Sequence, residues 1–551
     1  MDNTTPVWVG IDVGTGSVRA GLFTSGGRLL AIAKHEIRMW REGDFVEQSS
    51  KDVWHACTAA THRALADGAI EPDRVKGLSF TGTCSLVVLD REMRPLGVGT
   101  SGDAERNIIV WMDHRAVSQA QRINATEDDI LAYVGGAISP EMHTPKLLWL
   151  RENMPECYAS AGHFFDLVDY LTWRATGSLA RSVCTVTCKW TYLAHERRWS
   201  DRYFTRIGLP DIPQSGYARI GPEVVDAGTA LGSGLTAQAA AQLGLMPGTP
   251  VGAGLIDAHA GGIGSIGGRS SDGEVADPTH RIAFIMGTSN CTMAVSREPR
   301  FVPGVWGPYF SAMIPGLWLL EGGQSAGGAA IDHLVRLHPG YPEAAREAAH
   351  RGMSVLDLLE TAAMSVGNAS DAALLAHDVH VLPEFLGNRS PFADPKATAV
   401  LAGLVLDDSR DSLVRLYVAG LCGLAYGAAQ ILGALRVRGY DPNTIVMSGG
   451  AAKSRLVRQI SADATGLDVA VPVCAEPVLL GAAMLGAVAA GDFADLGAAM
   501  AAMAQDGSSH SPASGHIARF HAAKRAVFED LQRVERRARE IMATPSQGSS
   551  A

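Results

Sequence analysis

A glycine-and-hydroxyl turn between two apolar strands occurs twice in this chain, and the spacing of the two copies constrains the fold more than any other feature. Val7 to Phe23 reads as an apolar strand, a Gly14-Thr15-Gly16 tip, and a second strand in which Val18, Ala20 and Leu22 alternate with Arg19 and Gly21. The pattern returns where Arg281 to Met286 leads into Gly287-Thr288-Ser289 and then Cys291 to Val295. The tips begin at 14 and 287, so they lie 273 residues apart, close to half of the 551 residues. Self-similarity at that distance predicts two related domains rather than a short-period array. The length fits two domains, and 47% hydrophobic against 19% charged residues supplies apolar material for both cores.

The remaining segments alternate strand and helix, which gives an α/β class in each half. Helical patterning marks Lys146 to Asn153 and Leu235 to Gly244, the latter leading through Pro247-Gly248 into the apolar strand Val251 to Ile256. An Ala-rich helix is expected near 412–437, then a strand at Thr444 to Met447, a helix from about Ala451, another over Val478 to Ala490, and a last one over His516 to Met542. Residues 544–551 read as a loose Ser/Gly/Pro tail. Leu416 to Leu435 has the length of a membrane span, but its Gly and Ala content and its isolation favour a buried helix. With 47 Lys+Arg against 57 Asp+Glu the net charge is −10, which argues against a nucleic-acid surface. Eight cysteines without a CxxC pair read as reduced thiols, and the N-terminus shows no secretory pattern, so a cytoplasmic location is expected.

A tip such as Gly14-Thr15-Gly16-Ser17 can turn several backbone N–H groups toward a phosphate, although a single such tip reads first as an ordinary tight turn. Two tips in matching positions can clamp one nucleotide between domains, with Asp12 reaching a magnesium ion through water. No GxxxxGK[ST] loop is present, and the formal GxGxxA at Gly232 to Ala237 reads as a helix start. The stronger nucleotide element is Ile445 to Ser454, where a strand ends in Gly449-Gly450 and a flat base can approach the backbone. Asp257 follows an apolar strand and precedes Ala258-His259-Ala260-Gly261-Gly262, which suits either a general base for a substrate hydroxyl or a helix N-cap. His259 reads as a packing or hydrogen-bonding residue rather than a metal ligand.

Together these pieces resemble the FGGY carbohydrate kinases, which share the actin, Hsp70 and hexokinase fold of two ribonuclease-H-like domains around a cleft. The helix signature Lys146 to Asn153 is present, with His143 where the family usually has Ser, Thr or Pro. Gly10 to Arg19, Trp111-Met-Asp-His-Arg115, Phe301 to Trp306 and Gly387-Asn-Arg-Ser-Pro391 are similar to the pentulose-kinase branch, nearest its D-ribulokinase-like members. The resemblance implies a sugar-binding domain over 1–268, an ATP-binding domain over 269–543, and Asp257 as the base that takes the proton of the attacking hydroxyl. It implies Gly14, Thr15, Gly287, Thr288, Ser289, Gly328, Gly449, Gly450 and Ser454 as ATP contacts, and Asp12 or Asp257 as partners of Mg²⁺. Sugar contacts so implied are Thr83, Cys84, Asp113, Arg115, Lys189, Asp257 and Glu321, although an ion pair bracing the domain is an equal reading of Asp113 and Arg115. Two departures bear on substrate: Thr81-Gly82 replaces the branch's Asp-Ala ahead of Thr83-Cys84-Ser85, and Thr292 replaces a His. The expected reaction is phosphorylation of D-ribulose by ATP, with ribitol or another polyol as the alternative and a homodimer as the implied assembly. Neither nucleic acid nor membrane is an expected partner. A nucleotide switch of the actin or Hsp70 kind is the competing class, and it gives Lys189 and Glu321 no role beside Asp257.

Overall fold

Both hairpins form, and each seeds a sheet of the same strand order. The computed structural model describes residues 5–270 and 273–543, so the expected tail at 544–551 lies outside the described residues. Val7–Val13 pairs antiparallel with Ser17–Phe23, which pairs antiparallel with Leu29–Glu36; on its other side Val7–Val13 pairs parallel with Val75–Gly82, and that strand with Val251–Ile256. The second half repeats the plan. Arg281–Met286 pairs antiparallel with Asn290–Ser296 and parallel with Thr444–Ser448; Trp318–Gln324 and Asp468–Pro472 extend the two sides, and Trp306–Phe310 and Asp506–His510 are added at the edges. Val7–Val13 and Val251–Ile256 are buried along their whole length, as continuous apolar parallel strands must be when both faces are covered.

What covers them is exchanged between the halves. Helix Asp257–Ile266 continues from the first sheet's last strand, yet its Gly261 and Gly262 lie against Ile285, Met293 and Met313 of the second half. Helix Pro477–Ala489 follows strand Asp468–Pro472 of the second sheet, yet it packs on the first. Gly10, Gly77 and Gly252 lie so close to it that a Cβ at any of them would overlap main-chain atoms of Leu479, Gly486 or Leu485. The two helices also touch each other, with Gly481 against the Ala260 main chain and Gly264 against that of Pro477. Packing in this molecule therefore does not follow the sequence division at 268: Pro477–Ala489 belongs to the first sheet's core.

The apolar helix extends over Arg410–Val437, and 78% of its membrane-length window is buried within the protein, against Ile331, Leu334 and Val381 among others. The helix expected near Ala451 begins later. Gly450–Lys453 forms one 3₁₀ turn, and Arg455–Thr465 starts after Ser454, whose Oγ accepts the Val457 N–H at 3.0 Å as an N-cap. A third sheet, ordered Trp40–Glu42, Phe45–Gln48, Ile108–Ile109, Leu86–Asp90 and Ala161–Asp166, is inserted in the first half and walls the cleft there.

Candidate active site

Asp257 is the first residue of its helix, directly after a parallel strand, so its carboxylate stands at the carboxyl end of the sheet, where α/β folds bind ligands. It is not the N-cap; Ile256 holds that position. Its Oδ1 accepts the Ala258 N–H at 2.7 Å. Its place deep in the cleft, reinforced by the charge of Asp12, raises its pKa to about 6 against the Ala258 bond and the His259 cation. A base of that strength is mostly ionised at neutral pH yet retains affinity for a proton.

Asp257 shares a cavity of about 180 Å³ with Thr15, Thr83, Cys84, Lys189, Ser289 and Glu321, which come from distant parts of both halves. Burial alone would lower the Lys189 ammonium, but Cys84 and Glu321 outweigh it and hold the pKa well above the ordinary value. Burial alone would raise the Glu321 carboxyl, but the His259 hydrogen bond and Lys189 hold it at about 2. Lys189 thus stands as a fixed cation and Glu321 as a fixed anion of the cavity beside Asp257. Burial pushes the Cys84 and Cys291 thiols up to about 12, so both walls are neutral.

A larger cavity of about 610 Å³ lies in the second half, lined by Gly287, Thr288, Gly328, Gly450 and Ser454 together with Asp332, Glu360 and Tyr417. The second tip divides the two spaces, since Gly287 and Thr288 face the large one and Ser289 the small one. Each tip is closed from its first glycine by a 3.0 Å bond, but over different lengths: Gly14 N–H donates to the Ser17 carbonyl three residues on, and Gly287 N–H to the Ser289 carbonyl two residues on. Thr15 Oγ1 accepts Trp111 Nε1–H at 3.1 Å, which leaves its own proton available to an anion. Gly449 lines neither cavity; with φ of 91° and no room for a Cβ beside the Met286 main chain, it shapes the turn that presents Gly450. Asp12 Oδ2 accepts both Arg19 Nη2 (2.6 Å) and Nε (3.2 Å), while Oδ1 is buried without a partner. An orphaned carboxylate oxygen beside the first tip fits a hydrated divalent cation.

Asp113 and Arg115 are not in the cavity. Both side chains are fully enclosed, with Arg115 donating to Asp113, to Glu47 and to the Val98 carbonyl, and Asp113 accepting the Val46 N–H at 2.6 Å. They brace the inserted sheet. Thr81 is also turned away: its hydroxyl donates to the Leu255 carbonyl at 2.7 Å, within the sheet. Thr292 is buried in its strand, with an unpartnered hydroxyl, and does not line the cavity. Of this stretch, Thr83 and Cys84, both expected as sugar contacts, line the cavity.

The cavity wall also contains Trp111, Glu141, Cys291, Trp306 and Arg389, which sequence reasoning did not assign. Trp111, Trp306 and Arg389 sat in segments read as family marks, and that was their only signal. Lys189 Nζ lies 5.4 Å and the Arg389 guanidinium 5.7 Å from the Trp306 ring centre, so one aromatic side chain contacts two cations.

Comparison with known proteins agrees with this arrangement. The model of the "FGGY family of carbohydrate kinases, N-terminal domain" matches residues 7–264, and that of the C-terminal domain matches 282–490. The human FGGY carbohydrate kinase domain-containing protein is 48% identical over 91% of both chains. The D-ribulokinase of Saccharomyces cerevisiae is 35% identical over 90% of this chain and 73% of its own, and the ribulokinase of Mycolicibacterium smegmatis is 30% identical over 95% and 92%. Among solved structures, the xylulose kinase of Rhodospirillum rubrum superposes with a TM-score of 0.77 at 23% identity, covering 96% of this chain and 98% of its own. Two family models that together span most of the chain, with a relative 48% identical over nearly its whole length, place this chain in the FGGY family of carbohydrate kinases, the ATP-dependent sugar kinases.

Proposed function

We propose that this protein transfers the γ-phosphate of ATP to the terminal hydroxyl of a five-carbon ketose, D-ribulose before others, with ribitol as the polyol alternative. The observation that carries this reading is the single cavity in which Asp257, Lys189 and Glu321 face one another beside Ser289 of the second tip. An acceptor held between the Lys189 donors and the Glu321 acceptor would present its end hydroxyl to Asp257, which takes the proton as oxygen attacks phosphorus. Thr15, Gly287 and Thr288 would hold the phosphates, and Asp12 would hold Mg²⁺ through water. The metal would supply charge neutralisation on the transferring group. The identity to a D-ribulokinase supports the ketose. The neutral Thr83-Cys84 wall, without an added carboxylate, leaves ribitol as the second candidate. Eight unpaired cysteines accord with a reducing, cytoplasmic setting.

The test is coupled ADP release with Mg-ATP against D-ribulose, L-ribulose, D-xylulose, ribitol, L-arabinitol, erythritol and glycerol, compared as kcat/KM. Highest turnover with D-ribulose supports the ketose reading, and preference for ribitol shifts it to the polyol. ATP turnover that no sugar stimulates would reject both and favour a nucleotide switch.

A further inference from the structure

Glu321 is the one acidic group of the sugar cavity that comes from the second sheet, and its protein hydrogen bond crosses the cleft. Oε2 lies 3.4 Å from Nε2 of His259, which is wholly buried on the helix that begins with Asp257. The other ring nitrogen, Nδ1, lies 3.1 Å from Sγ of Cys184, and that sulfur also receives the Ile256 N–H at 3.5 Å. Cys188, one turn further along the Cys184 helix, brings its sulfur into the same buried cluster. Helix Val183–Trp190 therefore carries Lys189 at its end and Cys184 at its start.

We infer that Cys184 and His259 are positioning residues for the sugar site: the Cys184 sulfur fixes the imidazole, and the imidazole aims the Glu321 carboxylate into the cavity. The proposal rests on Glu321 being a sugar contact, as proposed above. An imidazole held at one nitrogen has its second nitrogen fixed in direction, the same logic by which a partner on one ring nitrogen orients the other in metal sites. Here the fixed direction points across the cleft. One helix of the first half then sets two of the charges that line the cavity, Lys189 directly and Glu321 through the Cys184–His259 pair.

The experiment is a mutant cycle on the full-length protein, with D-ribulose, or the best acceptor of the sugar panel, and Mg-ATP. Asn at 259 can reach toward Cys184 but not Glu321, whereas Gln can reach Glu321. His259→Asn is expected to raise the sugar KM by about tenfold, with kcat and the KM for ATP changed by less than about threefold. His259→Gln should recover most of that loss, and Cys184→Ala should raise the sugar KM by roughly threefold. In a Glu321→Ala background none of these changes should move KM further. If His259→Asn costs as much without Glu321 as with it, the positioning role is overturned. If Glu321→Ala itself leaves the sugar KM unchanged, the sugar-site reading of Glu321 fails instead. Thermal midpoints report folding for each variant, and Cys184→Ser serves if the alanine variant does not fold. Metal analysis closes the remaining route: one equivalent of zinc in the purified protein, lost in Cys188→Ser, would make the cluster a metal site and overturn the hydrogen-bond chain.

Discussion

The two halves place a carboxylate at almost the same point of their repeated plan and use it in opposite ways. In the first half Asp257 opens the exchanged helix after the last parallel strand, and in the second Glu476 immediately precedes the exchanged helix Pro477–Ala489. Asp257 faces the smaller cavity, and among the described residues no cation is bonded to it. Glu476 accepts Arg19 Nη1 at 2.5 Å, and the same guanidinium holds Asp12. Position in the fold supplies each half with an acid at this point; Glu476 is paired to a guanidinium, whereas burial leaves Asp257 with a raised pKa. Burial, with the Asp12 carboxylate nearby, favours the protonated form of Asp257.

The largest effect should follow from removing the free acid. Asp257→Asn is expected to lower kcat about 10²- to 10⁴-fold, the usual contribution of a general base, while ATP binding measured by titration stays near normal. A variant with near-normal turnover would show that Asp257 is not the base and would end the contrast with Glu476. The wild-type rate should also fall below pH of about 6, because the base works only when ionised. The stability sign is the reverse. A carboxyl whose folded pKa lies above its unfolded value binds more protons when folded, so stability falls as pH rises from about 4 to 6. Asp257→Asn should remove that loss and stabilise the protein above pH 6 by about 1–3 kcal/mol, an upper figure because solvent reaches the carboxylate, with no gain near pH 4.

The exchange of helices gives the next effect. Gly10→Ala places a methyl against the Leu479 main chain, where neither backbone can yield. Overpacking of that kind costs about 1–3 kcal/mol, read as a lowered thermal midpoint. Gly16→Ala, with nothing within contact distance, should leave the midpoint unchanged. Equal midpoints for the two variants would mean that the helix contact at Gly10 is not tight.

These regions differ in how far the sequence revealed them. The hairpins, the parallel strands and the Asp257 turn are local patterns, and alternation, glycine chemistry and spacing expose them. The helix exchange is invisible locally, because Pro477–Ala489 has apolar residues on all sides and nothing in its pattern names the sheet it will cover. Site residues divide on the same line. Thr15, Asp257 and Ser289 sit in turns whose geometry follows from a few neighbours. Glu141 and Arg389 reach the cavity only because segments far apart in sequence converge, and Asp113 with Arg115 stay out of it because Glu47, 66 residues before Asp113, closes the ion pair. Thr81 was read as a substrate determinant from its place in a motif, but alternation along Val75–Gly82 turns its side chain to Leu255. Thr81→Val should therefore cost about 1 kcal/mol through the unpaired Leu255 carbonyl and leave the D-ribulose to ribitol ratio of kcat/KM within about twofold. A large change in that ratio would return Thr81 to the substrate site.

The smallest effect is expected at the paired acid, and it is the sharpest test of the contrast. Glu476→Gln keeps the size of the side chain and an oxygen for Arg19 but removes the charge. Both partners are about a third exposed, with side-chain exposures of 28% for Glu476 and 32% for Arg19, so the stability change should be about 0.5 kcal/mol or less. Arg19 keeps Asp12, where it donates twice, so the first tip should be undisturbed and kcat should stay within about threefold. A loss approaching that of Asp257→Asn would mean that Glu476 acts in catalysis and that the counter-charge does not separate the two acids. A loss confined to the KM for ATP would place the Arg19–Glu476 pair at the phosphates instead, with the contrast at Asp257 intact.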